Sequence, residues 1–107
     1  MKKKIIMFDF DRTISLNVPL FKSVMRIFKD SGFDIMICTA RSVHSGNDDI
    51  FEHFPEDIVI FCEGMQKEDF ILQHTSISLD DIAFWIDDDC SSVTRIEEIR
   101  RLSETDL

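Results

Sequence analysis

Short apolar runs alternate along this chain with segments whose apolar residues recur at helical spacing. Four runs are apolar at nearly every position, which is typical of strands buried on both faces of a sheet. They span residues 5–8, 34–39, 58–62 and 82–86. Four segments with helical spacing follow them in turn. They span residues 19–31, 48–54, 67–74 and 92–102. This alternation predicts an α/β domain, a three-layer Rossmann-like sandwich with a mainly parallel sheet and helices on both faces.

The first predicted helix carries its own start and stop signals. Pro19 is favourable in a first helical turn, and Gly32 is suited to end the helix. One face of this helix is an apolar stripe that we expect to pack against the sheet. The stripe consists of Leu20, Phe21, Val24, Met25 and Phe28.

Polar residues directly follow three of the four predicted strands. Asp9 and Asp11 come after the first strand, the second ends in Thr39-Ala40-Arg41, and the fourth leads into Asp87-Asp88-Asp89. The carboxyl ends of parallel strands share one edge of the sheet, and ligands of open α/β sheets bind at that edge. The three groups are therefore candidates for one functional site.

The length and charge of the chain restrict its class. With 107 residues it fits a single domain over residues 1–107. Its net charge of −9 argues against sequence-independent binding to a nucleic-acid backbone or an anionic membrane. The acidic pairs Asp48-Asp49 and Asp80-Asp81 are predicted to lie in solvated first turns of helices.

The cysteines and the first residues suggest where the protein works. Cys38 and Cys62 lie in apolar runs and, with Cys90, form no CxxC pair, so we expect buried thiols and a reducing compartment. The apolar run before Asp9 is too short for a signal peptide or a membrane span. These features predict a soluble, cytoplasmic protein with no membrane partner.

Paired carboxylates at a sheet edge suit phosphoryl transfer. One aspartate could attack phosphorus and form an aspartyl-phosphate. A second carboxyl two residues on could protonate the leaving oxygen and then activate water. Mg²⁺ would remove the repulsion between the two carboxylates, because it takes oxygen ligands. Thr39 could donate its hydroxyl to a phosphate oxygen, and Lys67, at a predicted helix start, could neutralise the phosphate charge.

The ordered residues resemble the motifs of the haloacid dehalogenase-like (HAD) phosphohydrolases. The first motif of that family is an apolar strand followed by Asp-x-Asp-x-Thr, here Asp9-Phe10-Asp11-Arg12-Thr13. The second is an apolar strand that ends in Thr or Ser, here Thr39. The third is a lysine ahead of the last motif, here Lys67, and the fourth is an apolar strand that ends in acidic residues, here Asp87-Asp88. All four occur in order and cover most of the chain.

The resemblance implies an enzyme, an Mg²⁺-dependent phosphatase, and a role for each residue. Asp9 would be the nucleophile and a metal ligand. Asp11 would be the general acid/base and would ligate the metal through its backbone carbonyl. Asp87 and Asp88 would complete the metal site, with Asp88 as the direct ligand, unless Asp89 shifts the register by one residue. The residues implied to hold the phosphoryl group are Thr39, Ala40, Arg41 and Lys67.

Arg12 departs from the family pattern, which usually has Gly or another small residue at this position. Gly eases a tight backbone path beside the phosphate. Arg12 must either tolerate that path or reach the substrate itself, and the sequence leaves both open.

The chain has no room for a cap domain at the two positions where family members often carry one. Residues 14–18 and 63–66 are both too short. A capless member has an open site, which implies a bulky substrate or a partner, such as a second copy of the chain, that closes it. Thr39-Ala40-Arg41 is also similar to a segment in the phosphatase domain of polynucleotide kinase-phosphatases. The implied substrate is a nucleotide, a nucleic-acid 3′-phosphate or another phosphomonoester, although the acidic charge argues against long polyanions.

Two other functions use similar residues. A receiver-type phospho-acceptor domain would need an aspartate at the end of the third strand, where this chain has Cys62-Glu63-Gly64. A catalytically silent HAD-like module would use the sheet edge for binding only. The Asp9 and Asp11 pair argues against this second alternative.

Overall fold

The computed structural model describes residues 2–94, and its strands and helices alternate as the sequence predicts. In chain order they are β1 (Ile5–Phe8), α1 (Val18–Asp30), β2 (Asp34–Thr39), α2 (Asp48–Phe51), β3 (Val59–Phe61), α3 (Lys67–His74) and β4 (Ile82–Ile86). Of the predicted helix over residues 92–102, Ser92 ends a 3-10 turn at Cys90–Ser92 and residues 93–94 are not helical, and the residues from 95 onward lie outside the described residues. The predicted α/β class is confirmed.

The four strands form one parallel sheet in the order β3-β2-β1-β4. The chain moves outward from β1 through β2 to β3, then returns to the other side of β1 for β4. The strand order therefore reverses between β1 and β4. In open α/β sheets the crevice beyond the strand ends at such a reversal is the preferred ligand site.

Helices cover both faces of the sheet. On one face, α1 and α2 pack over a buried cluster centred on Ile6, Phe8 and Ile37. On the other face, α3 packs through Ile71 against Met7 and the inner strands. Successive residues of a strand point to opposite faces, so a strand covered on both faces is apolar at every position. This explains why β1 is fully buried from end to end.

The ends of α1 follow local signals. The Asn17 side chain accepts a hydrogen bond from the backbone of Leu20, so the helix begins at Val18, one residue before the predicted start. Gly32 has a φ of +98° and ends the helix, as predicted. The predicted stripe is wrong at Leu20, which is 53% exposed, because at about 3.6 residues per turn it lies beyond Val24, at the edge of the face that packs against the core.

The remaining differences concern short elements. The predicted helix over residues 48–54 ends at Phe51, because Pro55 follows closely. The third strand is shortened by a 3-10 turn at Glu56–Ile58. The acidic pairs at residues 48–49 and 80–81 lie in first turns, as predicted. Within residues 2–94, no helix is long and apolar enough to cross a membrane.

We expect Ile37→Ala to lower the free energy of unfolding by about 2–5 kcal/mol, because it leaves a cavity at a fully buried position of β2. The matched control is Ile27→Ala on α1, where the side chain is 64% exposed and the change should stay within about 0.5 kcal/mol. Urea unfolding followed by circular dichroism measures both. Equal losses of unfolding free energy in the two variants would contradict the assignment of Ile37 to the core.

Candidate active site

A cleft of about 330 Å³ lies at the carboxyl ends of β1 and β4, where the strand order reverses. Most of its lining is acidic, and it collects residues from four separate parts of the chain. The lining residues are Asp9, Asp11, Arg12, Ala40, Lys67, Asp87, Asp88, Asp89 and Ser92. Six of the predicted site residues therefore meet in one place.

A buried ion-paired lysine is the centre of this cleft. The Lys67 ammonium donates to Asp9 Oδ1 at 2.8 Å and to Asp87 Oδ2 at 2.5 Å. The three side chains are at most 8% exposed, so these bonds are shielded from water. Lys67 is the first residue of α3, and the position of its side chain thus fixes the start of that helix over the ends of β1 and β4.

Asp9 holds its place through both backbone and side chain. Its backbone N–H donates to the Ile86 carbonyl at 2.9 Å, which continues the pairing of β1 with β4 beyond the last strand residue. The buried Thr13 hydroxyl lies 3.2 Å from Asp9 Oδ2 and 3.4 Å from Asp88 Oδ1, and it donates toward this pair of carboxylates. Thr13 is a site residue that the sequence analysis did not assign a role, although its position in the first motif was a usable signal.

The carboxylates of Asp9, Asp87 and Asp88 each place an oxygen within 4.8 Å of the other two. The Lys67 ammonium is bound to two of these carboxylates, those of Asp9 and Asp87, whereas Asp88 is exposed. Burial raises the pKa of Asp9 to about 6, and the Asp88 carboxylate adds to the rise while Lys67 opposes it. Burial also opposes the charge of Lys67, but its hydrogen bonds to Asp87 and Asp9 outweigh that effect and raise its pKa. Among the described residues, the carboxylates that line this cleft outnumber its two cations, the ammonium of Lys67 and the guanidinium of Arg12.

Asp89 has a different task from its two neighbours. Its side chain accepts from the backbone N–H of Ser91 at 3.1 Å and caps the 3-10 turn at Cys90–Ser92. Its own backbone N–H donates to Asp87 Oδ1 at 3.0 Å. Asp89 thus shapes the loop that holds Asp87, and the carboxylate cluster that could hold a metal ion consists of Asp9, Asp87 and Asp88.

Asp11 lies at the rim of the cleft, where Arg41 holds it. The Arg41 guanidinium donates two hydrogen bonds to Asp11, at 2.7 and 3.0 Å, and two to Asp49, at 2.7 and 2.9 Å. It also lies over the ring of the buried Phe10, 5.3 Å from the ring centre. These hydrogen bonds, to Asp49 first and then to Asp11, raise the pKa of Arg41, and Arg41 in turn lowers that of Asp49. Asp49 was predicted only as a helix-start residue, and its ion pair comes from the tertiary structure.

Arg12 occupies a left-handed backbone conformation, with a φ of +61°. Gly adopts such a φ without penalty, whereas other L-residues pay a steric cost of about 1–2 kcal/mol. The backbone N–H of Arg12 donates to the Ser15 hydroxyl at 2.9 Å, which helps to hold the turn. The sequence had marked this position as the one departure from the motif, and the backbone here has the conformation that Gly favours.

Of the other predicted phosphate-binding residues, one lines the cleft and two do not. Ala40 lines the cleft, but Thr39 is fully buried beneath it. The Thr39 hydroxyl oxygen accepts from the backbone N–H of Arg41 at 3.3 Å. Among the described residues, Thr39 and Arg41 are thus predicted site residues that do not form part of the cleft lining.

A second groove, of about 430 Å³, lies at the other end of the strands and lacks this chemistry. Apolar side chains such as Met25 and Phe54 form part of its lining, together with cations of α1 that include Lys22 and Arg26. It is larger than the acidic cleft, but Asp30 is the one carboxylate that residues 2–94 contribute to its lining. The site is therefore assigned from the charged groups rather than from cavity size.

We expect Lys67→Met to lower the free energy of unfolding by about 3–5 kcal/mol at pH 7, because it leaves buried carboxylates without their cation. The loss relative to wild type should be smaller at pH 5. Without Lys67 the folded-state pKa of Asp9 rises further above its unfolded value, so this carboxyl contributes stability as the pH falls through that raised pKa. Urea unfolding at both pH values measures the effect. Lys3→Met, at an exposed lysine, is the control, and an equally small loss in both variants would contradict the buried ion pair.

We expect Arg12→Gly to raise the free energy of unfolding by about 0.5–1 kcal/mol, because Gly relieves the left-handed strain. Arg26→Gly in α1 is the matched control and should lower it by about 1 kcal/mol, because Gly is a poor helix residue. Opposite signs in urea unfolding would support the strained turn. A loss of stability in both variants would refute it.

Comparisons with known proteins leave the family of this chain open. No family model, no curated protein and no solved structure matches it. The function must therefore be argued from the residues of the cleft.

Proposed function

We propose that this protein is an Mg²⁺-dependent phosphatase of the HAD-like, capless type, and that it hydrolyses phosphomonoesters through an aspartyl-phosphate. One observation carries the proposal: Asp9, Asp87 and Asp88 lie together where the strand order reverses, and the buried Lys67 is bound to two of them, Asp9 and Asp87. A purely structural ion pair needs one carboxylate for one ammonium. Three carboxylates instead leave an excess of negative charge that a bound cation would offset.

The donor set fits Mg²⁺. All three candidate side chains offer carboxylate oxygens, which are the ligands that this hard cation takes, usually together with water and phosphate oxygens. Asp9 and Asp88 would hold the metal, Asp87 would support it while bound to Lys67, and the Asp11 backbone carbonyl would be a further ligand. When bound, the metal would neutralise the phosphoryl oxygens and the charge that develops on them.

The residues of the chain suggest the following reaction. The Asp9 carboxylate attacks phosphorus, the bond from phosphorus to the ester oxygen breaks, and Asp11 gives a proton to the departing alcohol. The ionised Asp11 then takes a proton from water, which attacks the aspartyl-phosphate and releases phosphate and free Asp9. Lys67 donates two of its three N–H groups to Asp9 and Asp87 within the described residues, which leaves the third for a phosphoryl oxygen.

For Asp11 to act as the general acid and base, its carboxylate must first break its hydrogen bonds to Arg41. The pair is accessible to water and substrate, because Asp11 is 51% exposed and Arg41 is 21% exposed. A phosphate group, like a carboxylate, accepts two parallel hydrogen bonds from a guanidinium, so it can take the place of Asp11. Arg41 could therefore bind substrate while it releases Asp11, with Thr39 and Ala40 shaping the loop beside it.

Because no cap among the described residues covers the cleft, it favours a substrate whose phosphate can enter from open solvent while the rest of the molecule stays outside. No cap segment lies between β1 and α1 or between β3 and α3, where the connections are short. Nucleotides or nucleic-acid ends carry a phosphate far enough from their bulk to enter this cleft. Closure by a second copy of the chain is the other arrangement that would shield the reaction from water.

The receiver-type alternative lacks its acceptor residue. β3 is followed by the fully buried Cys62 and by Glu63, and β3 lies at an edge of the described sheet rather than beside the cleft. The silent binding module is the stronger alternative, because Asp11 is engaged by Arg41 in this structure. In that module Asp11 and Arg41 would stay bound to each other, and the cleft would bind a cation without hydrolysing a substrate.

We expect wild-type protein to hydrolyse an aryl phosphate only in the presence of Mg²⁺. Asp9→Asn should reduce turnover by about 10³-fold or more, because it removes the nucleophile. Asp11→Asn should slow turnover by about 10²–10⁴-fold and let the phospho-enzyme accumulate, because breakdown of that intermediate lacks its base. Phosphate release and intact-protein mass measure the two effects.

The matched control is Asp57→Asn, an aspartate in the turn before β3, which should keep wild-type turnover. The substrate panel should include nucleotides and 3′-phosphorylated oligonucleotides. Absence of Mg²⁺-dependent turnover across this panel would refute the phosphatase. Mg²⁺-dependent stabilisation without any turnover would instead support the silent binding module.

A further inference from the structure

The thiols of Cys38 and Cys62 contact each other in the core between the sheet and α3. Their sulfur atoms lie 2.9 Å apart, and both side chains are fully buried. The two residues are separated by 24 positions in the chain and come from the ends of adjacent strands. Neither takes part in the proposed phosphatase chemistry.

The backbone fixes this contact on both sides. Cys38 is paired with Ile60 in the parallel register, and the Cys62 N–H donates to the Thr39 carbonyl at 2.8 Å, just beyond the end of β3. A disulfide requires a sulfur–sulfur bond of about 2.05 Å, so a movement of under about 1 Å would bring the two sulfur atoms to that distance. Because Cys62 lies two residues beyond Ile60, the partner of Cys38, the bond also requires a small backbone shift of the segment that follows β3.

We propose that Cys38 and Cys62 form an oxidative modification site, which a hydroperoxide converts into an intramolecular disulfide. The Cys62 thiolate attacks a peroxide oxygen, the O–O bond breaks, and Cys62 becomes a sulfenic acid while the departing oxygen takes up a proton as water. The Cys38 sulfur then attacks the Cys62 sulfur, loses its own proton and displaces the sulfenic oxygen as a second water. The peroxide gains two electrons, which the two thiols lose.

Cys62 is the thiol placed to react first, because it directly follows the edge strand β3, whereas Cys38 lies within β2, which is paired on both sides. Each thiol can donate to the other, so their hydrogen bond alone does not decide which of them loses its proton first. β3 has three residues and lies at an edge of the described sheet, so a brief local opening there can admit a small peroxide.

The disulfide would tie the candidate phosphate-binding loop to the chain after β3. Backbone hydrogen bonds already join these segments, from Glu63 N–H to the Arg41 carbonyl at 3.2 Å and from Gly64 N–H to the Ala40 carbonyl at 2.9 Å. A covalent link between Cys38, which directly precedes this loop, and Cys62 would prevent the two segments from separating. The modification itself needs no phosphatase activity, so its test is independent of the proposed function.

The test oxidises the folded protein with hydrogen peroxide and counts its thiols. Cys90→Ser removes the exposed third thiol, and the product is then denatured, alkylated with iodoacetamide and weighed. We expect a mass loss of about 2 Da with no alkylation, and recovery of two alkylatable thiols after dithiothreitol. Peptide mapping should join residues 38 and 62.

Cys38→Ala and Cys62→Ala in the same background are the controls, and neither should show the mass loss. If either variant fails to fold, peptide mapping of oxidised wild-type protein still identifies the linked pair. The proposal is overturned if peroxide leaves both thiols of folded Cys90→Ser open to alkylation while it oxidises Cys90 of the wild type. A wild-type disulfide that includes Cys90 would also overturn it.

Discussion

The buried ammonium of Lys67, bound between Asp9 and Asp87, is the interaction on which the carboxyl edge of the sheet depends. A charge removed from water without a partner costs several kcal/mol, so each of these side chains requires the others. Because Lys67 begins α3, this requirement also sets where the helix starts relative to β1 and β4. The same three side chains thus order the fold and form the centre of the candidate site.

Two groups of charges with different physical character lie beside each other at this edge. The inner group, with Lys67 at its centre, is nearly dry, and its charges interact strongly because water does not screen them. The outer group, in which Arg41 joins Asp11 to Asp49, is more open to solvent, because both of its carboxylates are more than half exposed. An outer pair of this kind can exchange partners readily, whereas the inner pairs form a fixed frame. The proposed division into a preorganised nucleophile and a releasable acid/base follows from this difference.

The turn between the two groups combines anchoring with strain. Phe10 is buried in the core and anchors this segment there, whereas Asp9 and Asp11, on either side of it, line the cleft. Arg12 follows in a left-handed conformation that a side chain disfavours. Backbone strain of this kind persists only where the surrounding structure determines it, here through the buried Phe10 and Thr13 on its two sides.

The sequence by itself determined the parallel α/β class, since strands covered on both faces must be apolar throughout. Three of its four predicted strands have the observed bounds, as does the helix that begins at Lys67. It also predicted that Asp9, Asp11, Ala40, Asp87 and Asp88 would meet, because parallel strands deliver their ends to one edge, although Thr39 and Arg41, predicted on the same ground, do not line the cleft. Lys67 was predicted separately, from its helix start and from the motif order of the resemblance. The class and the strand-end residues could be inferred from the spacing of apolar residues and from the order of the elements along the chain, both of which can be read directly from the sequence.

Only the tertiary structure decided which charged groups are partners and which thiols touch. The Arg41 bonds to Asp11 and Asp49 span 30 and 8 residues, and the contact of Cys38 with Cys62 spans 24. No local pattern distinguishes an exposed aspartate that binds an arginine from one that is solvated, or a buried thiol beside another thiol from one beside a methyl group. Such pairings depend on strand register and on side-chain direction to within about an ångström, and these are set only when the elements have packed.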